Sequence, residues 1–366
     1  TFLPYITSTG ELKTKPTQHS VRELRAIGIQ PDAIICRSDH PVPADLRRKI
    51  MIHCDVPIEG VLMLPTVSTI YEVPLILEKQ GMGNLIRDTL SLETQNDEST
   101  PSDDWKKLVS MIKAEKDCLK ISVVGKYVDL HDAYISVKEA LIHAGIEYSR
   151  NIEIKWVDSE DIEENGPEKY LNDSAGVVVP GGFGYRGVEG MILAVEYCRV
   201  NDIPYLGLCL GMQVMVIEAA RSLLDKKSAN STEFVKDTPD PVIHIMEDQK
   251  GIKDKGGTMR LGGYPCDLIA GTIASKAYGN IKDTIMERHR HRFEFNNLYR
   301  EDLISVGLKP SGMSPDGNLV EIVEYPDNEF MLGTQFHPEF LSRPTTPHPI
   351  FSEFVSASVN KVNKNR

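Results

Sequence analysis

Five short, nearly unbroken apolar runs constrain the fold of this chain more than any other feature: 119–125, 152–157, 175–180, 204–208 and 330–336. They are shorter than buried helices, and apart from 152–157 they lack the alternation of a half-exposed strand. Runs of this kind are strands buried on both faces, which is the condition of a parallel sheet covered by helices. Helical patterns over Ala133–Ala144 and Glu189–Asn201 supply such a cover. Residues 1–95 repeat the alternation on a smaller scale, with Ala33–Cys36 and Gly60–Leu64 each followed by turn or cap residues and a helical stretch. Between the two α/β blocks, Asn96–Asp104 is rich in Pro, Ser and acidic residues and is expected to be a linker. A helix is expected from Asp104 to Lys116, with Trp105, Leu108, Val109 and Ile112 on one face and Ser102 as its cap.

Composition excludes several classes. The net charge of −12 disfavours broad nucleic-acid binding, which needs a cationic face. No apolar run approaches the ~20 residues of a membrane span. No secretory signal pattern opens the chain, so a cytoplasmic location is expected. The first residue is Thr1 rather than Met, which reads as a fragment or a processed product. The cysteines, at 36, 54, 118, 198, 209 and 266, form no C-x-x-C pair. Free thiols and no metal site are expected.

One cysteine stands apart. In Gly207-Leu-Cys209-Leu-Gly211 a buried strand runs straight into a helix, the pattern of a nucleophile elbow in cysteine form. The glycines permit the sharp turn, the helix N-terminus favours thiolate, and the Leu210 amide is placed to hold a developing oxyanion. Taken alone, the motif is also compatible with a core cysteine between packing glycines. A second strand ends in Pro180-Gly181-Gly182-Phe-Gly184, where backbone amides can face a ligand and Gly182 is the natural second oxyanion donor. A third ends in Thr334-Gln-Phe-His337-Pro-Glu339. In an extended chain a spacing of two sends both side chains to one side, where Glu339 can orient His337. The three pieces together fit covalent acyl transfer at the carboxyl ends of one sheet.

These strings resemble the signatures of class I glutamine amidotransferases. More narrowly, Gly181–Met191, Asn230–Phe234, Gly257–Gly262 and Glu287–Glu294 resemble the CTP synthase family, and the resemblance runs through nearly the whole chain. It implies two doubly wound, mostly parallel-sheet α/β domains, the first only partly present. Residues 1–95 would be the C-terminal part of a synthetase domain, 96–118 a linker and helix, and 119–366 a glutaminase domain. It further implies a glutamine pocket made of Gly182, Leu210, Gly211, Met212, Gln213, Glu233 and Arg292. Within it, Glu233 would pair the α-ammonium. The alternation Arg288-His-Arg-His-Arg292 could equally be a solvated basic face.

In the first block, Lys13-Thr14-Lys15-Pro16-Thr17-Gln18 places two lysines ahead of a helical pattern from Ser20, which suits a polyphosphate. The resemblance assigns this string and Lys49 to UTP and to CTP as inhibitor, and Pro65-Thr66-Val67 to ATP. Tyr185 and Arg186 are expected to belong to a GTP effector site. No G-x-x-x-x-G-K-[ST] string is present, so the phosphate-binding loop and magnesium carboxylates are expected to lie outside this sequence. The implied cofactor state is none tightly bound, with Mg-ATP as co-substrate, in a homotetramer when intact. An amidotransferase with another acceptor, and a non-catalytic nucleotide-sensing or assembly relative, are the competing readings.

Overall fold

The computed structural model describes residues 1–93, 102–245, 259–281 and 284–364. Residues 96–101 of the expected linker, and Gly257 and Thr258 of the family-like string, lie outside the described residues, as does the capping expected of the Ser102 side chain. The chain divides into two compact units, Thr1–Ala114 and Glu115–Arg366.

In the first unit, strands Ile34–Ser38 and Val61–Pro65 pair in parallel. Helices Lys15–Ala26 and Ala44–Cys54 bury Val21, Ile50 and Cys54 in the same cluster as Ile34, Cys36 and Val61. The first helix starts at Lys15 rather than near Ser20, because Pro16 sits in its first turn, where a missing N–H costs nothing. The helix Ser102–Lys113 groups with this unit, and the division falls after residue 114. Its Trp105 Nε1 donates to the Tyr71 carbonyl at 2.6 Å, and Lys113 pairs with Glu72 at 2.9 Å.

The second unit is built on a sheet of nine strands among the described residues. Five are parallel neighbours, in the order Met331–Thr334, Tyr205–Leu208, Gly176–Val179, Cys118–Gly125, Asn151–Asp158. In the inner strands the apolar character follows from burial on both faces, whereas Asn151–Asp158, at the sheet's edge, alternates and is only partly buried. Val177, Val179 and Tyr205 pack with helices Val188–Val200 and Leu210–Ser222 on one side. Val178, Leu206 and Leu208 pack with Ile135–Glu147 and Pro349–Lys364 on the other. Each such side chain, wholly removed from water, contributes roughly 1.5–3 kcal/mol.

Four further strands extend the sheet antiparallel beyond Met331–Thr334, in the order Val320–Glu324, Lys309–Met313, Arg260–Leu268, Ile285–His291. The apolar-run criterion misses them because their buried faces are polar. In Ile285–His291 the inward residues are Ile285, Glu287, His289 and His291, while Met286, Arg288 and Arg290 point outward. The basic string is therefore only half a solvated face.

Under the sheet, Arg199 closes on Glu218 with Nη2–Oε1 at 2.6 Å and Nε contacts at 3.1 and 3.2 Å. Glu218 is fully buried on the helix Leu210–Ser222. Removing one partner strands a charge in the interior, so Arg199→Met is expected to cost about 3 kcal/mol or more. The double change Arg199→Met, Glu218→Leu should cost much less, which paired denaturant titrations of the three proteins would show.

Candidate active site

The site forms where three adjacent parallel strands end: Gly176–Val179, Tyr205–Leu208 and Met331–Thr334. The central strand gives way to a helix across a single residue, Cys209, held at φ 52° and ψ −95°. A non-glycine residue adopts this left-handed backbone only when its surroundings enforce it. The enforcement is close packing. A Cβ on Gly207 would lie 2.6 Å from the Gly211 carbonyl carbon, and one on Gly211 would collide with the Val179 carbonyl oxygen. The Cys209 amide donates to the Thr334 carbonyl at 2.7 Å, tying the elbow to the neighbouring strand. Cys209 caps the helix Leu210–Ser222, so the amides of its first turn surround the nucleophile. Leu210, Gly211, Met212 and Gln213 are buried in that turn.

His337 follows the third strand. Its amide donates to the Arg288 carbonyl at 2.8 Å, its Nδ1 lies 2.7 Å from Glu339 Oε1, and its ring lies near enough to Cys209 to interact with it. The pairing with Glu339 differs in origin from the extended-chain expectation. Glu339 sits in a 3-10 turn, Pro338–Phe340, entered from His337 at φ −111° and ψ 83°. The turn folds the carboxylate back onto the ring, and Phe340 stacks on the imidazole at 5.2 Å. Burial opposes a charge on His337, but the Glu339 carboxylate and the adjacent Cys209 outweigh it and hold the ring's pKa well above its usual value. An imidazolium beside a thiol favours thiolate.

The glycine loop completes the wall. A Cβ on Gly181 would sit 2.8 Å from His337 Cε1, so only glycine lets the loop approach the imidazole this closely. A cavity of about 230 Å³ opens over the triad, lined by Cys209, His337, Gly181, Gly182, Phe183 and Arg290 among others. Behind it, Glu233 Oε1 accepts from the Gly184 amide at 2.8 Å. Arg292, half-buried, immediately follows the strand Ile285–His291.

Two residues overlooked in the sequence contribute to this geometry. Lys126 Nζ donates to the Phe183 carbonyl at 3.3 Å and to that of Gly184, clamping the peptide that Glu233 holds from the other side. Burial lowers its pKa to about 8, against the pull of Glu233. Gln335, 1% exposed, lies with Nε2 3.6 Å from the Cys209 sulfur. The terminal glycine of the run 119–125 marked the position of Lys126, but a single lysine after a strand carries no signal by itself.

A polar cluster underlies the wall. His289, His291 and Glu321 bring ligand atoms together as a metal site would, but the Arg260 guanidinium takes the cation's place. Its Nη1 lies 2.7 Å from Glu321 Oε1 and 3.4 Å from His289 Nδ1. Burial, followed by Arg260, pushes His289 to about 2 and His291 to about 3, so both rings are neutral.

Comparison with known proteins matches this arrangement. The profile of "Glutamine amidotransferase class-I" covers residues 129–357, and that of "CTP synthase N-terminus" covers residues 1–92. A CTP synthase of Dehalococcoides mccartyi is 58% identical over 98% of this chain and 65% of its own length. One from Herpetosiphon aurantiacus is 54% identical over 99% of this chain and 67% of its own. The chain belongs to the CTP synthase family. It thus spans 65% of the length of the Dehalococcoides protein. Among solved structures, the glutaminase domain of Trypanosoma brucei CTPS with bound acivicin is 38% identical, with a TM-score of 0.62, over 66% of this chain and 94% of that one. The glutamine amidotransferase match, residues 129–357, falls within the second unit.

The other residues expected to bind nucleotides lie as follows. In the first unit, Lys13 pairs with Glu11, whose carboxyl is drawn down chiefly by Lys13 and also by Lys49, so the two lysines face one exposed patch. Thr14 is buried and accepts from Gln18 Nε2 at 3.1 Å, while Thr17 Oγ1 donates to Thr1 Oγ1 at 3.1 Å. Lys15 and Pro16 open the helix at the same place. Pro65, Thr66 and Val67 leave the carboxyl end of the parallel pair, with the Thr66 amide on the Ser38 carbonyl at 3.0 Å. In the second unit, Tyr185 is exposed, and Arg186 pairs with Glu160 at 2.6 Å and with the Lys126 carbonyl.

The raised pKa of His337 has a stability consequence. The folded protein holds the ring proton more tightly than the unfolded chain. That contribution is complete below the unfolded value near 6.5 and is lost as pH rises through the folded one. Glu339→Gln removes the carboxylate responsible. The melting-temperature gap between the unmodified protein and Glu339→Gln is expected to be widest below the unfolded value and to narrow as pH rises well above it, as scanning fluorimetry against pH would record.

Proposed function

We propose that residues 115–366 hydrolyse glutamine to glutamate and ammonia at Cys209. In the whole protein this ammonia would aminate UTP activated by ATP phosphorylation, making it a ligase that forms CTP with glutamine as amido donor. The observation that carries the reading is the sulfur at the strained elbow, beside an imidazole that is paired at 2.7 Å with Glu339.

The chemistry follows from those groups. The Cys209 thiolate attacks the carboxamide carbon. The Gly182 and Leu210 amides receive the tetrahedral oxyanion, each worth roughly 3 kcal/mol in comparable sites. The His337 imidazolium gives its proton to the departing ammonia and leaves a thioester. The neutral ring then takes a proton from water as it attacks, and glutamate departs with the thiolate restored. Gln213, Glu233 and Arg292 serve the amino-acid end of the substrate. A zwitterion shielded from water needs an opposite charge for each of its own.

The nucleotide roles belong to the same proposal. The patch of Lys13, Lys15 and Lys49 at the start of the helix Lys15–Ala26 suits the triphosphate of UTP, and of CTP as inhibitor. Pro65–Val67 at a strand's carboxyl end suits ATP, which enters as Mg-ATP with no tightly bound cofactor. Tyr185 and Arg186 beside the glycine loop suit a GTP effector. The intact enzyme would work as a homotetramer in the cytoplasm. Among the described residues no helix is long and apolar enough to cross a membrane.

Cys209→Ala is expected to abolish glutamine hydrolysis in a coupled glutamate assay, and hydrolysis at the unmodified rate would refute the assignment. Glu233→Gln should raise KM for glutamine about 10- to 100-fold, the loss of one charge-assisted bond. UTP or CTP should raise the melting temperature of the unmodified protein and not that of Lys13→Ala, Lys49→Ala.

A further inference from the structure

We infer that Gln335 is a second donor to the Cys209 sulfur, set in place by a relay of amides, and that it stabilises the thiolate independently of His337. This deepens the proposed glutaminase reading and rests on Cys209 being its nucleophile.

The orientation of the relay follows from what each group can do. Gln213 Nε2 lies 3.2 Å from the Phe293 carbonyl and 3.3 Å from Gln335 Oε1. A backbone carbonyl only accepts, so the Gln213 amide must turn its NH2 group toward Phe293. The second N–H of that group then meets an acceptor in Gln335 Oε1. With its oxygen engaged, Gln335 has its own NH2 facing the sulfur at 3.6 Å, a hydrogen-bonding distance for sulfur. The carbonyl of Phe293 thus dictates the flip of both amides, two links away from the nucleophile.

The setting makes the contact consequential. Gln335 and Gln213 are 1% and 3% exposed, so water does not compete for these bonds. The Gln335 amide donates to the Glu321 carbonyl at 2.8 Å, which fixes its backbone in the sheet. The sulfur also lies 4.0 Å from the Arg290 carbonyl, which accepts a proton and so favours the thiol. A donor on the other side offsets it. A hydrogen bond to an anion is about twice as strong as one between neutral groups, so the contact favours the thiolate over the thiol. Gln335 touches the reacting atom and acts as a catalytic residue, whereas Gln213 is its positioning residue.

The experiment reads Cys209 without glutamine. The rate of iodoacetamide alkylation of Cys209 is followed by peptide mass spectrometry against pH, on the full chain as unmodified protein, Gln335→Met and Gln213→Met. Methionine keeps the length and removes the N–H donors. The midpoint is expected to rise in Gln335→Met, with about a tenfold slower reaction at neutral pH. Gln213→Met, which frees Gln335 to turn, should move it in the same direction by less. It carries the test alone if Gln335→Met fails to fold. A profile that superimposes on the unmodified protein in the folded variants overturns the inference. That result would leave the glutaminase reading standing, because that reading falls only if Cys209→Ala still hydrolyses glutamine.

Discussion

The second unit depends on one reversal of the backbone at residue 209. A buried strand must become a helix within a single residue for the thiol to stand clear of the sheet with helix amides around it. That demands a left-handed conformation at a cysteine and a helix pressed against the adjoining strand. Gly207 and Gly211 make the approach possible, since a side chain at either would strike backbone atoms. The strain is held by the unbroken apolar packing of Val177, Val179 and Tyr205 beneath the helix. The buried pair of Arg199 and Glu218 adds a further constraint from the same side. Packing energy and chemical geometry are therefore joined at this turn.

Around it, the protein manages charge by burial. His337 is kept cationic against desolvation by Glu339 and Cys209, whereas His289 and His291 are kept neutral by burial and by Arg260. The difference lies in the partners. Arg260 pairs with Glu321 Oε1 and also reaches His289, so the rings next to that carboxylate meet a cation as well. A neutral pair behind the wall leaves one imidazolium beside the sulfur, which is what a single proton donor to departing ammonia requires.

The parts of this arrangement readable in the sequence were those whose physics is local. The inner parallel strands announced themselves because burial on both faces leaves few polar positions, whereas the edge strand Asn151–Asp158 keeps Glu153 and Lys155. The elbow did so because only glycine tolerates its contacts. The four antiparallel strands were hidden because their buried positions include Glu287, His289, His291 and Glu321; Glu287 meets His348 and Glu321 meets Arg260, each 61 residues away in the chain. Glu339 was matched to His337 for the wrong local reason, since a 3-10 turn and not an extended chain brings them together. Lys126 and Gln335 were invisible because their roles exist only after residues 58 and 126 positions away are brought to them.

Those polar strands bear on the chemistry directly. The outermost one, Ile285–His291, accepts the His337 amide through Arg288 and brings the Arg290 carbonyl to the sulfur. Phe293, just beyond it, fixes the amide of Gln213. A parallel sheet alone would place the nucleophile, the glycine loop and the histidine at its rim but would leave the sulfur open on the side facing away from the helix. The antiparallel extension closes that side with backbone carbonyls, whose directions cannot vary with rotamer. The thiol is therefore poised between a fixed acceptor and mobile donors. The side chains of His337 and Gln335 face it on a frame that the sheet holds still.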